Sequence, residues 1–217
     1  MSVDEIQKIE DKLVPKGKID LVGCGRLGLR ICINLMQVHR GGPKVISAFD
    51  GQKISGGDVI FTLNGAEIGE AKPDFLKRIC THDEDFRIIK SHTEYITKEN
   101  IELIDGDVII IVIAGGNTIS TAAEIIKHAQ KIGAKTIGTA GIFGFGNEDI
   151  EIKDISEYDN NNPAIEELRA QGITENHLIL TTHKLIKDNE PITPYVLDEV
   201  AKIITINALK LLRDKYD

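Results

Sequence analysis

Three glycines, an aspartate and a lysine carry most of the chemistry legible in this chain. Gly23, Gly25 and Gly28 form a G-x-G-x-x-G directly after the apolar run Ile19, Leu21, Val22. Asp50 stands 22 residues beyond Gly28, and Lys72 comes three residues after Gly69 and just before Pro73. Gly23 permits a tight turn, Gly25 lets the backbone approach a phosphate, and Gly28 lets the next helix pack closely on the sheet. The free N–H groups at that helix start, with the dipole behind them, suit an anion. Arg26 and Leu27 lie inside the same turn, and Arg26 can reach the same anion. An acid at the end of the following strand can accept hydrogen bonds from ribose hydroxyls. A lysine at a helix entrance faces the unfavourable end of the dipole, which an anion close by would offset.

The alternative to a nucleotide site is three glycines in an ordinary turn between a strand and a helix. Ser55 is a further site candidate, weighed against a plain loop residue. Asn117 follows the most apolar run and is weighed between the site and a helix cap. His39, His82, His128 and His183 have no partner at metal-type or helical spacing and read as structural or exposed. His82–Asp85 reads as a solvated acidic turn. The three cysteines, Cys24, Cys32 and Cys80, read as small core residues. Cys24 sits at a helix N-terminus, where a thiolate is favoured, unless the turn points it into the fold.

These residues need elements to position them. Residues 2–13 carry Val3, Ile6, Ile9 and Leu13 at helical spacing, which predicts a packing helix or a dimer arm. A strand at 19–22, a helix carrying Leu27, Ile31, Leu35 and Val38, and a strand from Val45 to Phe49 make a βαβ unit. Residues 51–65 are too glycine-rich for a helix and too long for an ordinary loop, so a functional loop is expected. A helix follows with Pro73 at its first position and Phe75, Leu76 and Ile79 inward. Phe86–Lys90 reads as a strand, and 97–104 as a short helix capped by Thr97. Asp107–Ile113 should be a central strand buried on both faces. A helix from about Thr118 to Ile132 ends at Gly133, and a strand at 135–139 follows. Residues 141–160 read as loop, 163–170 as a helix, 177–181 as a strand, and the segment after Pro194 as a long final helix.

The alternation predicts an α/β fold: a Rossmann-like, doubly wound, mostly parallel sheet with flanking helices. We expect one domain over residues 1–217, with an N-terminal helical arm at 1–17 and a C-terminal extension at 141–217. Ligands bind such sheets outside the strand C-termini, where loops 23–28, 50–72 and 114–118 arrive. The net charge of −8 disfavours a nucleic-acid partner. No apolar run reaches the ~18 residues of a membrane helix. No C-x-x-C exists, which disfavours structural zinc. Three cysteines without a secretory signal point to a reduced, cytoplasmic protein.

The chain resembles the E1-type adenylating enzymes, the ThiF/MoeB/HesA group. The likeness is carried by Val22-Gly-Cys-Gly-Arg-Leu-Gly28, by Phe49-Asp50 with Ser55 five residues on, by Gly69-Glu-Ala-Lys72, by the run from Asp107 to Asn117, and by the closing Ile206–Leu212. It implies ATP bound at the glycine turn, Asp50 on the ribose, and Lys72 on the phosphates. It also implies AMP transfer to a carboxylate with release of pyrophosphate. Mg2+ is implied, with its ligands undefined, as are a homodimer and a thiol-bearing acyl acceptor protein. Size and the absence of zinc and thioester cysteine motifs are similar to the E1-like proteins of iron-guanylylpyridinol cofactor synthesis, which implies guanylylpyridinol as the carboxylate. Two positions depart from the pattern. Val59 replaces the family's arginine, a role for which Arg26 is the substitute in sequence, and Gly116 replaces its magnesium-binding aspartate. The turn and Asp50 fit an NAD-dependent dehydrogenase equally well, though the long loop before Lys72 does not. The two departures favour a non-catalytic nucleotide-binding protein as a third reading.

Overall fold

The computed structural model describes residues 1–80 and 86–216; the acidic turn at His82–Asp85 lies outside the described residues. Among the described residues seven strands, β1 (Lys18–Val22), β2 (Val45–Phe49), β3 (Ile88–His92), β4 (Val108–Ile111), β5 (Lys135–Thr139), β6 (Glu151–Asp154) and β7 (Leu178–Thr181), form one sheet. Their spatial order is β3-β2-β1-β4-β5-β7-β6. Every pairing is parallel except β6 against β7. The order in which strands are added reverses between β1 and β4, so a crevice opens above the C-terminal ends of these parallel neighbours. The expected doubly wound, mostly parallel fold is the observed one.

Among the described residues there are seven α-helices: α1 (Val3–Lys12), α2 (Arg26–Met36), α3 (Val59–Leu63), α4 (Lys72–Ile79), α5 (Ile119–Ile132), α6 (Pro163–Ala170) and α7 (Pro194–Tyr216). α2, α4 and α7 bury their apolar stripes against Ile19, Leu21, Ile46 and Ile110 on one face. α5 and α6 cover Val22, Ile109, Ile111 and Ile179 on the other. Alternation along β4 therefore feeds both cores, which is why that strand is apolar at every position.

The structure corrects the sequence reading in several places. α1 is well capped, with Ser2 and Glu5 satisfying each other's backbone N–H groups. Its apolar residues Val3, Ile6 and Ile9 are nevertheless exposed, so it is not a packing helix within this chain. The 51–65 loop contains α3, whose fully buried Phe61 packs on Phe75. That burial outweighs the local glycine content. Pro73 is the second residue of α4, after Lys72. β3 begins two residues later than expected, because Arg87 is buried instead and clamps the end of α2. Its guanidinium donates to the carbonyls of Leu35, Met36, Val38, Gly41 and Pro43. Around 97–104 only one 3-10 turn forms, Ile101–Leu103. Thr97 and Asn100 spend their side chains on local backbone groups and compete with a longer helix. The acidic stretch within 141–160 supplies β6, an edge strand whose half-exposed residues suit charge.

Candidate functional site

The glycine turn joins β1 to α2 with little room to spare. Gly23 has φ 99°, and a Cβ there would lie 2.7 Å from the Val112 carbonyl oxygen. A Cβ on Gly28 would lie 2.0 Å from the carbonyl oxygen of Gly23, so helix and turn touch backbone to backbone. Gly25 differs: it caps α2 without a side-chain hydrogen bond, and a Cβ there would meet nothing within 4 Å. Two glycines thus set the packing, and the third leaves the helix start open to an approaching anion. Cys24 points inward and is fully buried. Burial, with the Asp50 charge, pushes its thiol well above the ordinary range, which removes it as a thiolate.

Asp50 splints this turn to the end of β2. One carboxylate oxygen accepts the Cys24 N–H at 2.8 Å, and the other accepts the Gln52 N–H at 2.8 Å. Each oxygen keeps a free lone pair for a further donor. The excursion that follows is closed by a bridge between Lys53 and Ala71, which sets Lys72 beside Gln52. The Lys72 ammonium donates to Gln52 Oε1 at 2.7 Å, lies 3.5 Å from Asp58 Oδ1, and sits over the Phe61 ring at 5.6 Å. Lys72 is 5% exposed, so a cation is held at the N-terminus of α4 with its charge incompletely matched.

Asp58 accepts from the Ser55 N–H at 2.9 Å and from the Ser55 hydroxyl at 2.8 Å. Burial raises its pKa, but Ser55 and Lys72 together hold the carboxyl below its ordinary value. Ser55 therefore fixes the acid that faces the lysine. Arg26, exposed at the first turn of α2, donates to the Gly57 carbonyl at 3.2 Å and so lies along the same loop. That loop also carries Val59.

A cavity of about 530 Å³ opens where the strand order reverses. Gly25, Arg26, Leu27, Asp58 and Lys72 line one end. From there it crosses the ends of β4 and β5 and reaches α6, with Ile113, Ile119, Phe143, Leu168 and Leu197 among its apolar walls. Thr118, Thr139 and His177 are further polar residues of its lining. Gly23, Gly28, Asp50 and Ser55 are not among its lining residues, though Asp50 stays partly exposed beside the turn that carries Gly25. Asn117 is exposed in the 3-10 turn Gly116–Thr118, between the lining residues Gly115 and Thr118, and its side chain caps neither that turn nor α5.

Sequence reasoning missed Asp58 and His177. Asp58 carried a usable signal, Ser55-x-x-Asp58 just before the apolar Val59–Phe61. His177 carried none, because a histidine at a strand start has no motif. Burial pushes its pKa down to about 4, so its imidazole is neutral, although Asp154 acts in the opposite direction. Among the described residues no group of three His, Cys, Asp or Glu side chains is placed to hold a metal ion. Nor is any described helix long and apolar enough to cross a membrane.

No family model matches the chain. HcgE from Methanothermobacter marburgensis, solved with guanylylpyridinol and ATP bound, is 49% identical to it and superposes with a TM-score of 0.89. That match covers 94% of this chain and 98% of HcgE. The chain belongs to the HcgE family of E1-like adenylating enzymes. An uncharacterised protein of Methanocaldococcus jannaschii is 42% identical over 211 residues, 97% of this chain and 83% of its own length. The E. coli tRNA N6-threonylcarbamoyladenosine dehydratase, solved with ATP, is 16% identical with a TM-score of 0.75, covering 99% of this chain and 90% of that one. At that identity the likeness is one of fold. In this HcgE-family chain, then, Gly25, Arg26 and Lys72 line one end of a cavity, and an apolar chamber continues from it.

Proposed function

We propose that the chain uses ATP to adenylate the carboxylate of guanylylpyridinol, releasing pyrophosphate. The observation that carries this reading is the shape of the cavity. A cradle suited to phosphates, with a buried ammonium, opens directly into an apolar chamber able to take an organic acid. The relation to HcgE, a protein solved with both ligands, supports the same pairing. A carboxylate oxygen of the substrate attacks the α-phosphorus, the bond from phosphorus to the α–β bridging oxygen breaks, and pyrophosphate leaves with that electron pair. Gly25 and Leu27 offer backbone to the phosphates, Asp50 receives the ribose hydroxyls, and Lys72 and Arg26 meet the charge that grows on the leaving oxygen.

Mg2+ would travel with the phosphates as their counter-ion. Asp58 is the one carboxylate among the described lining residues, and one carboxylate plus phosphates is a common magnesium arrangement. Asp58 would thus take the place that Gly116 leaves empty of a side chain. Among the described lining residues there is no cysteine, so an acyl-acceptor thiol would come from a separate protein. The exposed apolar residues of α1 suit the contact of a homodimer.

Pyrophosphate exchange into ATP tests this reading. Exchange should require guanylylpyridinol and fail with NAD in place of ATP. ATP binding without exchange would leave a nucleotide-binding protein and sink the adenylation.

A further inference from the structure

His177 lines the cavity, 3% exposed, just before β7. Its ring stacks over the bare backbone of Gly138 on β5. A Cβ on Gly138 would come within 2.9 Å of Nε2 and 3.0 Å of Cε1, so the glycine makes room for the imidazole. Both residues line the cavity, with Ala164 and Leu168 of α6 opposite.

The other ring nitrogen is committed. Nδ1 and the Thr136 hydroxyl are 2.8 Å apart, and the same hydroxyl lies 3.4 Å from the Asn176 carbonyl oxygen. The carbonyl can only accept, so a hydroxyl that satisfies both contacts donates to Asn176 and accepts from Nδ1–H. A neutral imidazole carries one N–H, which leaves Nε2 as a bare acceptor. No hydrogen bond to Nε2 is formed among the described residues. Nε2 is not among the fully buried polar atoms that lack a partner, and His177 lines the cavity, so this acceptor is open to a donor brought in by a ligand.

We propose that His177 is a specificity-determining residue of the carboxylate pocket: its Nε2 accepts a hydrogen bond from a hydroxyl or ring N–H of the substrate. The inference rests on the adenylation reading. The Thr136–Asn176 relay sets the tautomer, and Gly138 sets the ring's depth. The rest of the chamber is largely apolar, so this contact would fix the orientation of a planar substrate that its walls only enclose. A substrate analogue with that donor methylated would lose the bond and meet a lone pair with a methyl group.

Two measurements test it. In the free protein, 15N NMR of the histidine side chains should show His177 with its proton on Nδ1. A proton on Nε2 would overturn the proposal without touching the adenylation reading. The second measurement is exchange kinetics on His177→Phe, which keeps a ring over Gly138 and leaves the Thr136 hydroxyl its bond to Asn176. KM for guanylylpyridinol should rise about tenfold, the value of one good buried hydrogen bond, with ATP affinity within about twofold of wild type. His177→Gln, which restores an acceptor near Nε2, should recover part of that loss. An unchanged KM in His177→Phe overturns the proposal, and so does equal loss in the Gln variant. Unchanged ATP affinity certifies that each variant is folded. A wild-type protein that binds ATP yet gives no exchange with guanylylpyridinol would overturn the adenylation reading itself, together with the substrate contact that depends on it.

Discussion

The two ends of the cavity are built by opposite means. At the β1–β2 end the site is backbone and charge: the open N-terminus of α2, Asp50 tied to two N–H groups, and Lys72 facing Asp58. At the β5–β7 end it is side-chain volume, apolar walls from α5, α6 and α7 around a single neutral imidazole. The difference follows from what each end would hold. Phosphates have one shape and much charge, so fixed donors serve them. An organic acid has its own outline, and walls that fit it must be drawn from wherever the fold passes.

The sharpest way to break this contrast is to remove charge from the polar end. Lys72 lies over Phe61 and donates to Gln52, so truncation to alanine would disturb packing as well as charge. Lys72→Met keeps the stem and deletes the ammonium. On the adenylation reading the cation would meet charge that grows during the reaction, so pyrophosphate exchange should fall by about 10²-fold or more. AMP affinity should stay within a few-fold, since AMP lacks the outer phosphates. Exchange within a few-fold of wild type would show that the polar end does not act through charge.

The opposite end should show itself in stability instead. The His177 pKa in the folded protein is about 4, against 6.5 for the ordinary side chain. Between those values the unfolded chain binds a proton that the folded chain refuses, so stability falls as pH falls from about 6.5 to 4. Asp154 already offsets part of the burial effect within that value. The loss should be about 3 kcal/mol by pH 4, on the scale of 1.36 kcal/mol per pKa unit. Urea unfolding of wild type against His177→Phe checks it, and the variant should lack this component of the acid slope. Identical slopes would mean that the chamber end is wetter than its burial implies.

The same contrast explains what could be read from the sequence. Gly23, Gly25 and Gly28 act through backbone geometry that falls on consecutive residues, so their spacing is the signal. Lys72 could be read from its place before Pro73, because the helix dipole makes a cation there costly. β4 could be read because burial on both faces leaves it no polar position. His177 and Gly138 meet only across paired strands, and no local pattern marks either. α3 was hidden because a single buried aromatic, Phe61, decides it against a glycine-rich background. The edge strand β6 looked like loop because its partner, β7, arrives 24 residues after its last residue.

The smallest effect expected is at Arg26, and it refines the polar end. Its guanidinium is exposed and donates to the Gly57 carbonyl at 3.2 Å. That bond holds it against the loop that carries Val59, the position where the wider family has its arginine. A cation reaching this place from the glycine turn would face the outer phosphates from the side opposite Lys72. Exposure and screening limit what such a contact contributes, so we expect about 0.5–1 kcal/mol. Arg26→Ala should therefore weaken ATP binding about two- to fivefold at moderate salt, from the tenfold per 1.4 kcal/mol scale of affinity. AMP, without β- and γ-phosphates, should lose much less. Calorimetric titration of both nucleotides separates the outcomes. Equal losses for ATP and AMP would assign Arg26 to holding the loop at Gly57, and Lys72 would then stand as the one cation of the phosphate end.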